Sequence, residues 1–186
     1  MQTTNYDSAI QTLRQGGVIA YPTEAVFGLG CDPDNHQALT NLLELKQREP
    51  SKGLILIAAD AAQLTPYIAK IDDTLMQRAL VTWPGPYTWL FPCADNLNPF
   101  LVGEHKTIAV RVTAHPVVRA LCLAFGKPIV STSANISGHA PARSVDEVKS
   151  LFGDRIKIIV DGEVNIHAKP SEIRDLQSNK IIRSGG

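Results

Sequence analysis

Lys46, Arg48 and Lys52 fall within seven residues of one another in "LKQREPSK", where a leucine-rich helical pattern ends. Arg111 stands alone in the apolar run "TIAVRVT". Cations so placed can hold phosphate or carboxylate, and an arginine fork binds two oxygens at once. A second constellation is uncharged. Residues 130–138, "VSTSANISG", carry Ser131, Thr132, Ser133, Asn135 and Ser137. Alternate residues of an extended segment point the same way, so Ser131, Ser133, Asn135 and Ser137 could form one row able to donate to phosphate, ribose and base. Thr23 and Glu24 directly follow the apolar run "VIAYP", and ligands commonly bind just past strand ends in α/β folds. Thr107 lies at i−4 from Arg111 and on the same strand face.

Each signal has a plain alternative. Cations at a helix C-terminus complement its dipole. A strand arginine can face water, and Pro22-Thr23 can be an ordinary turn. Ser and Asn cap helices or order turns through their own backbone. That accounts for one or two such residues and poorly for an array of four.

The elements that must position these residues follow from the pattern. A short helix over 7–15 is stopped by Gly16-Gly17, a buried strand spans 18–22, and "TEAVFGLGCDPDN" reads as a long loop with two glycines. Asn35 is a good N-cap for a helix carrying Leu39, Leu42, Leu43 and Leu45. "LILIAA" (54–59) is a second buried strand, followed by short helices over 60–69 and 72–82 and a hard turn at "PGP". "YTWLFP" and "TIAVRV" are strands, 115–126 is a helix stopped by Gly126, and "PIVST" (128–132) is a strand. Ser144 and Glu147 have capping-box spacing for a helix to about 152. "IKIIVDG" (156–162) is another strand, and the tail predicts a hairpin around Gln177 to Asn179. Alternating strands and helices, then local pairing, define one mixed α/β domain over residues 1–186, a mixed sheet with flanking helices.

Several classes are disfavoured. Of 186 residues, 44% are hydrophobic, enough for a core. Lys+Arg and Asp+Glu number 18 each, so a general polyanion binder, which needs a basic excess, is disfavoured. Cys31, Cys93 and Cys122 are far apart and form no CxxC pair, which fits reduced thiols in a cytoplasmic protein. Zinc-ligand spacing, a secretory leader and a long apolar span are not apparent in the sequence. Gly28-Leu-Gly30 fails as a dinucleotide fingerprint because Pro33 occupies the third glycine position, and GxxxxGK[ST] does not occur. Acidic residues do not cluster tightly, so magnesium is expected to arrive on phosphates rather than in a protein cage.

"YPTEAVFGLGCD", "LLELKQR", "GPYT", "AVRV", "PIVSTSANISG", "PSEIRD" and "IIRSGG" occur in that order from Val18 to Gly186. In combination they resemble the YrdC-type threonylcarbamoyl-adenylate synthases, in their short single-domain bacterial form. "PSEIRD" departs from the "PST(I/V)xD" pattern of the longer enzymes. The resemblance implies a twisted, open mixed sheet with a concave positive groove. It also implies a reaction in which L-threonine, bicarbonate and ATP give threonylcarbamoyl-AMP and pyrophosphate, with a tRNA-modifying threonylcarbamoyl-transferase complex as the onward partner. In this reading Lys46 and Arg48 are the catalytic pair at the triphosphate. Thr23, Lys52, Arg111, Ser131 and Ser171 hold threonine. Thr107, Ser133, Asn135 and Arg183 join Lys46 and Arg48 around ATP. A competing expectation is a module that binds double-stranded RNA or tRNA through the same groove, with Lys46, Arg48 and Lys52 as its patch; its binding would depend steeply on salt. A third, a sugar-phosphate synthase of similar sheet, rests on fold likeness alone.

Overall fold

The computed structural model describes residues 6–165 and 167–185. Residues 1–5, 166 and 186 of the domain expected over 1–186, including the last glycine of "IIRSGG", lie outside the described residues. The elements run α1 (Tyr6–Arg14), β1 (Ile19–Pro22), β2 (Phe27–Gly30), α2 (His36–Lys46), β3 (Ile55–Ala58), α3 (Asp73–Leu80), β4 (Tyr87–Pro92), α4 (Pro99–Val102), β5 (Thr107–Val112), α5 (Pro116–Phe125), β6 (Ile129–Ser133), α6 (Val145–Phe152), β7 (Ile158–Ile159), β8 (Glu172–Asp175) and β9 (Ile181–Arg183). The strands join in one mixed sheet of order β7-β1-β2-β6-β3-β5-β4-β8-β9. Pairing is parallel for β1/β7, β3/β5 and β4/β8 and antiparallel elsewhere.

Alternation along the strands divides the core. Ala20, Leu29, Leu56, Val110 and Val130 pack against the leucines of α2, with Leu101 of α4 and Val148 and Phe152 of α6 in the same cluster. Ile19, Tyr21, Ile57 and Ile129 point the other way, into α1 and α5. Arg111 pairs with Ile57, and Ser131 follows Ile129 by two. Both therefore project on the α1/α5 face. Local chemistry sets the helix ends: the side chains of Asn35, Asp72 and Ser144 accept from Ala38 N, Leu75 N and Glu147 N, and Gly126 closes α5 in the left-handed region.

Several expectations are corrected. The stretch read as a loop after Pro22 contains β2, paired with β1 through Tyr21 and Gly28. Its glycines are strand positions packed close against Tyr21. A Cβ on Gly30 would lie 2.5 Å from Val130 O and 2.8 Å from the Tyr21 ring. The helix expected over 60–69 is only a 3₁₀ turn at Ala62–Leu64, cut short ahead of Pro66. Of residues 156–162 only Ile158–Ile159 form a strand, with Val160 N donating to Ala20 O at 2.8 Å just beyond it. The short α4, capped by Asn98 with Pro99 first in the helix, has too little periodicity to be read from sequence.

Candidate active site

The uncovered part of the α1/α5 face holds a cavity of about 280 Å³. Its lining carries four cations, Arg48, Arg111, Lys169 and Arg183, against a single acid, Glu24. Thr23, Ser131, Ser133 and Ser171 supply hydroxyls. A neighbouring cavity of about 800 Å³ shares Glu24, Pro86, Lys169 and Pro170 with it.

The last turn of α2 delivers Arg48. Gln47 takes the left-handed conformation, and Arg48 N donates to Leu43 O at 2.9 Å, which closes the helix and swings Arg48 out of its path. The Arg48 guanidinium is tethered by one bond, Nη2 to Gly53 O at 3.0 Å. Strand β5 delivers Arg111, whose Nη1 stands 3.2 Å from Glu24 Oε2. The β8–β9 hairpin brings Arg183 onto Ser171, with Nη2 2.9 Å from the Ser171 carbonyl, and the Ser171 hydroxyl accepts from Thr88 Oγ1 at 3.2 Å. Thr23 is buried and donates to Val26 O at 2.7 Å, which fixes the bend between β1 and β2.

The cations are set against one another. Burial, then the neighbouring Arg183, lowers the Arg48 pKa, and burial, then Arg111, lowers that of Arg183. The buried Nε atoms of Arg48 and Arg111 have no hydrogen-bond partner among the described residues. Buried donors are nearly always satisfied. Like charges that converge on one cavity favour an anionic occupant.

The uncharged row divides where the strand ends. Ser131 and Ser133 line the cavity. Asn135 does not, because the chain turns after β6. Its Oδ1 accepts from Ser133 Oγ at 2.7 Å, and its Nδ2 donates to His139 O at 2.7 Å. Lys46 also lies away from the cavity, 2% exposed. Its ammonium donates to Ser133 O, to Asn135 O at 2.9 Å and to Asn135 Oδ1 at 2.9 Å. Ser137 N returns a bond of 2.8 Å to Lys46 O. The "KQR" and "STSAN" motifs are thus stitched together, with Lys46 underneath. Lys52 is exposed, pairs with Glu49 at 3.4 Å and is not a lining residue; nor is Thr107, which opens β5 opposite Pro92. The basic patch that Lys46, Arg48 and Lys52 would have to form for RNA binding is therefore not present.

Lys169 was not anticipated. It sits in the irregular stretch "HAKPS", where periodicity carries no signal. Thr113, fully buried at the end of β5, donates to Glu24 Oε1 at 2.7 Å and was also not singled out. Among the described residues, His, Cys, Asp and Glu nowhere gather three or more side chains that could hold a metal. No helix among them is long and apolar enough to cross a membrane.

Fold and site together define a domain of mixed α/β architecture with a cation-lined cavity on the open part of one sheet face. Residues 11–185 match the family described as "Telomere recombination" (Sua5/YciO/YrdC). The chain is 50% identical over 183 residues to the threonylcarbamoyl-AMP synthase of Vibrio campbellii, covering 97% of this chain and 99% of that one. It is 53% identical to that of Serratia proteamaculans, covering 98% and 97%. Among solved structures it resembles P. abyssi Sua5 complexed with L-threonine, with a TM-score of 0.89 at 32% identity and 97% of this chain covered. It spans 54% of that longer protein. It also resembles E. coli YciO, with a TM-score of 0.81 at 28% identity, covering 97% of this chain and 88% of that one. The chain belongs to the Sua5/YciO/YrdC family.

Proposed function

We infer that the protein is a threonylcarbamoyl-AMP synthase, forming threonylcarbamoyl-AMP and pyrophosphate from L-threonine, bicarbonate and ATP. The observation that carries this reading is the convergence of Arg48, Arg111 and Arg183 on one cavity that Ser131, Ser133 and Ser171 also line.

The chemistry explains why such a site is needed. A threonine ammonium and bicarbonate give a carbamate, water and a proton. A carbamate oxygen then attacks the α-phosphorus of ATP and pyrophosphate leaves. An anionic nucleophile thus meets an anionic electrophile, and fixed cations must offset the charge while holding the reactants in line. In this reading Arg48 and Arg183 take the phosphates, with Lys169 beside them. Arg111 takes the threonine carboxylate, with Thr23, Ser131 and Ser171 as hydroxyl neighbours. Ser133 faces the nucleotide. Lys46, Asn135, Lys52 and Thr107 lie behind or beside the cavity, and Lys46 and Asn135 contribute by shaping the loop that carries Ser133. Magnesium travels on the phosphates, and the mixed anhydride passes to a tRNA-modifying transferase in the cytoplasm.

The test is pyrophosphate release from ATP with magnesium, measured with threonine, bicarbonate, both or neither. Release that needs both supports the reading. Release indifferent to threonine refutes it.

A further inference from the structure

Tyr21 is fully buried on the α1/α5 side of the sheet, yet it carries a hydroxyl. Its ring crosses β2, where Gly28 and Gly30 leave the backbone bare. A Cβ on Gly28 would lie 3.3 Å from Tyr21 Cε2 and Cζ, and one on Gly30 would lie 3.1 Å from Tyr21 Oη. The hydroxyl thereby reaches β6, two strands away in the sheet, and donates to Val130 O at 3.3 Å. That bond is long for an O–H donor, and it offsets only part of the cost of sealing a hydroxyl among apolar groups. A phenylalanine would fill the same space without that cost. The residue after Val130 gives the oxygen a purpose. Ser131 lines the cavity. Burial raises the Tyr21 pKa, and Ser131, bonded through its side chain to the same hydroxyl, lowers it.

A hydroxyl has one proton and two lone pairs. With the Tyr21 proton engaged by Val130 O, the phenol oxygen can only accept from Ser131. The Ser131 proton is then turned into the sheet, and its lone pairs are left to the cavity. We propose that Tyr21 is a positioning residue for Ser131, fixing that hydroxyl as an acceptor toward an N–H or O–H of the ligand. Tyr21 itself touches no ligand. The proposal rests on the synthase reading above, in which Ser131 is a neighbour of threonine, whose ammonium and hydroxyl are donors of the kind such an acceptor suits. It also gives the bare backbone of Gly30 a role, since a Cβ there, 2.8 Å from the ring, would push the phenol off β6.

The experiment measures the L-threonine dissociation constant by calorimetry for the wild type, Tyr21→Phe, Ser131→Ala and the double variant. Tyr21→Phe keeps the ring in place and loses only the oxygen. It is expected to weaken threonine binding about 3- to 10-fold, the weight of one neutral hydrogen bond, with the pyrophosphate-induced melting shift unchanged. Ser131→Ala is expected to weaken binding by at least as much, and adding Tyr21→Phe to it should change nothing further, because the two residues act as one. Wild-type affinity in Tyr21→Phe overturns the proposal, and so does an equal loss on removing the phenol oxygen with or without Ser131; either outcome leaves the synthase reading standing. A pyrophosphate shift that falls in step with threonine affinity also overturns it, since the variant has then disturbed the cavity as a whole. Wild-type pyrophosphate release that ignores threonine overturns both.

Discussion

Lys46 holds Asn135 twice, at its backbone carbonyl and at its side-chain Oδ1, each at 2.9 Å. One residue at the end of α2 therefore fixes the turn that follows β6. Burial, and secondarily Arg48, pushes the Lys46 pKa down from 10.5 to about 8. The sign is that of a charged form made less favourable: below about 8 the ammonium and its three bonds are intact, and above it one of three donors is lost. The turn behind Ser133 loosens as pH rises. We expect kcat to decline on the alkaline side with a midpoint near 8. Lys46→Arg, charged throughout, should remove that limb even if its ceiling is lower. A wild-type profile flat to pH about 9.5 would contradict this role.

Arg111→Lys keeps the charge and loses the fork. The expected result is a KM for threonine raised about 10- to 100-fold, a KM for ATP changed far less, and a melting temperature close to the wild type's. Steady-state kinetics with each substrate varied in turn checks it. Equal effects on both substrates would remove Arg111 from the amino-acid side.

The mutual repulsion of Arg48, Arg183 and Arg111 predicts stabilisation by anions. Pyrophosphate at about 100 times its dissociation constant should stabilise the fold by about 2.7 kcal/mol. For a chain of this size that is roughly 5–10 °C in thermal melting. Arg48→Ala should abolish most of the shift. An unchanged shift in that variant would place the anion elsewhere.

Gly30→Ala should be among the more damaging small substitutions. Its Cβ would meet backbone, Val130 O at 2.5 Å, as well as the ring of Tyr21. Overpacking of this kind costs about 1–3 kcal/mol, a loss of roughly 2–12 °C measured by calorimetry. A neutral result would mean that β2 and β6 separate easily.

Ser131 and Ser133 were legible as cavity residues because the period of a strand is two and β6 carries it to Ser133. Asn135 was not, since the period ends with the strand and nothing in "STSAN" marks where. Lys46 carried a signal that its charge obscured: it lies four residues after Leu42 and seven after Leu39, on the buried stripe of α2. Arg48 escapes that stripe only through the left-handed turn at Gln47, a conformation uncommon for a residue other than glycine. The two glycines of "FGLG" hid β2 because glycine usually marks a loop, whereas here it makes room for Tyr21. Lys169 and the Arg183–Ser171 contact depend on how the C-terminal hairpin folds back beside β4, a long-range pairing that local sequence does not encode.

The most direct measurement is mass spectrometry of the adenylate formed from ATP and L-threonine in carbon-13 bicarbonate. The account predicts an adenylate that contains threonine and one labelled carbon, since the carbamate carbon comes from bicarbonate. An unlabelled threonyl adenylate, with threonine joined to AMP through its own carboxylate, would contradict it.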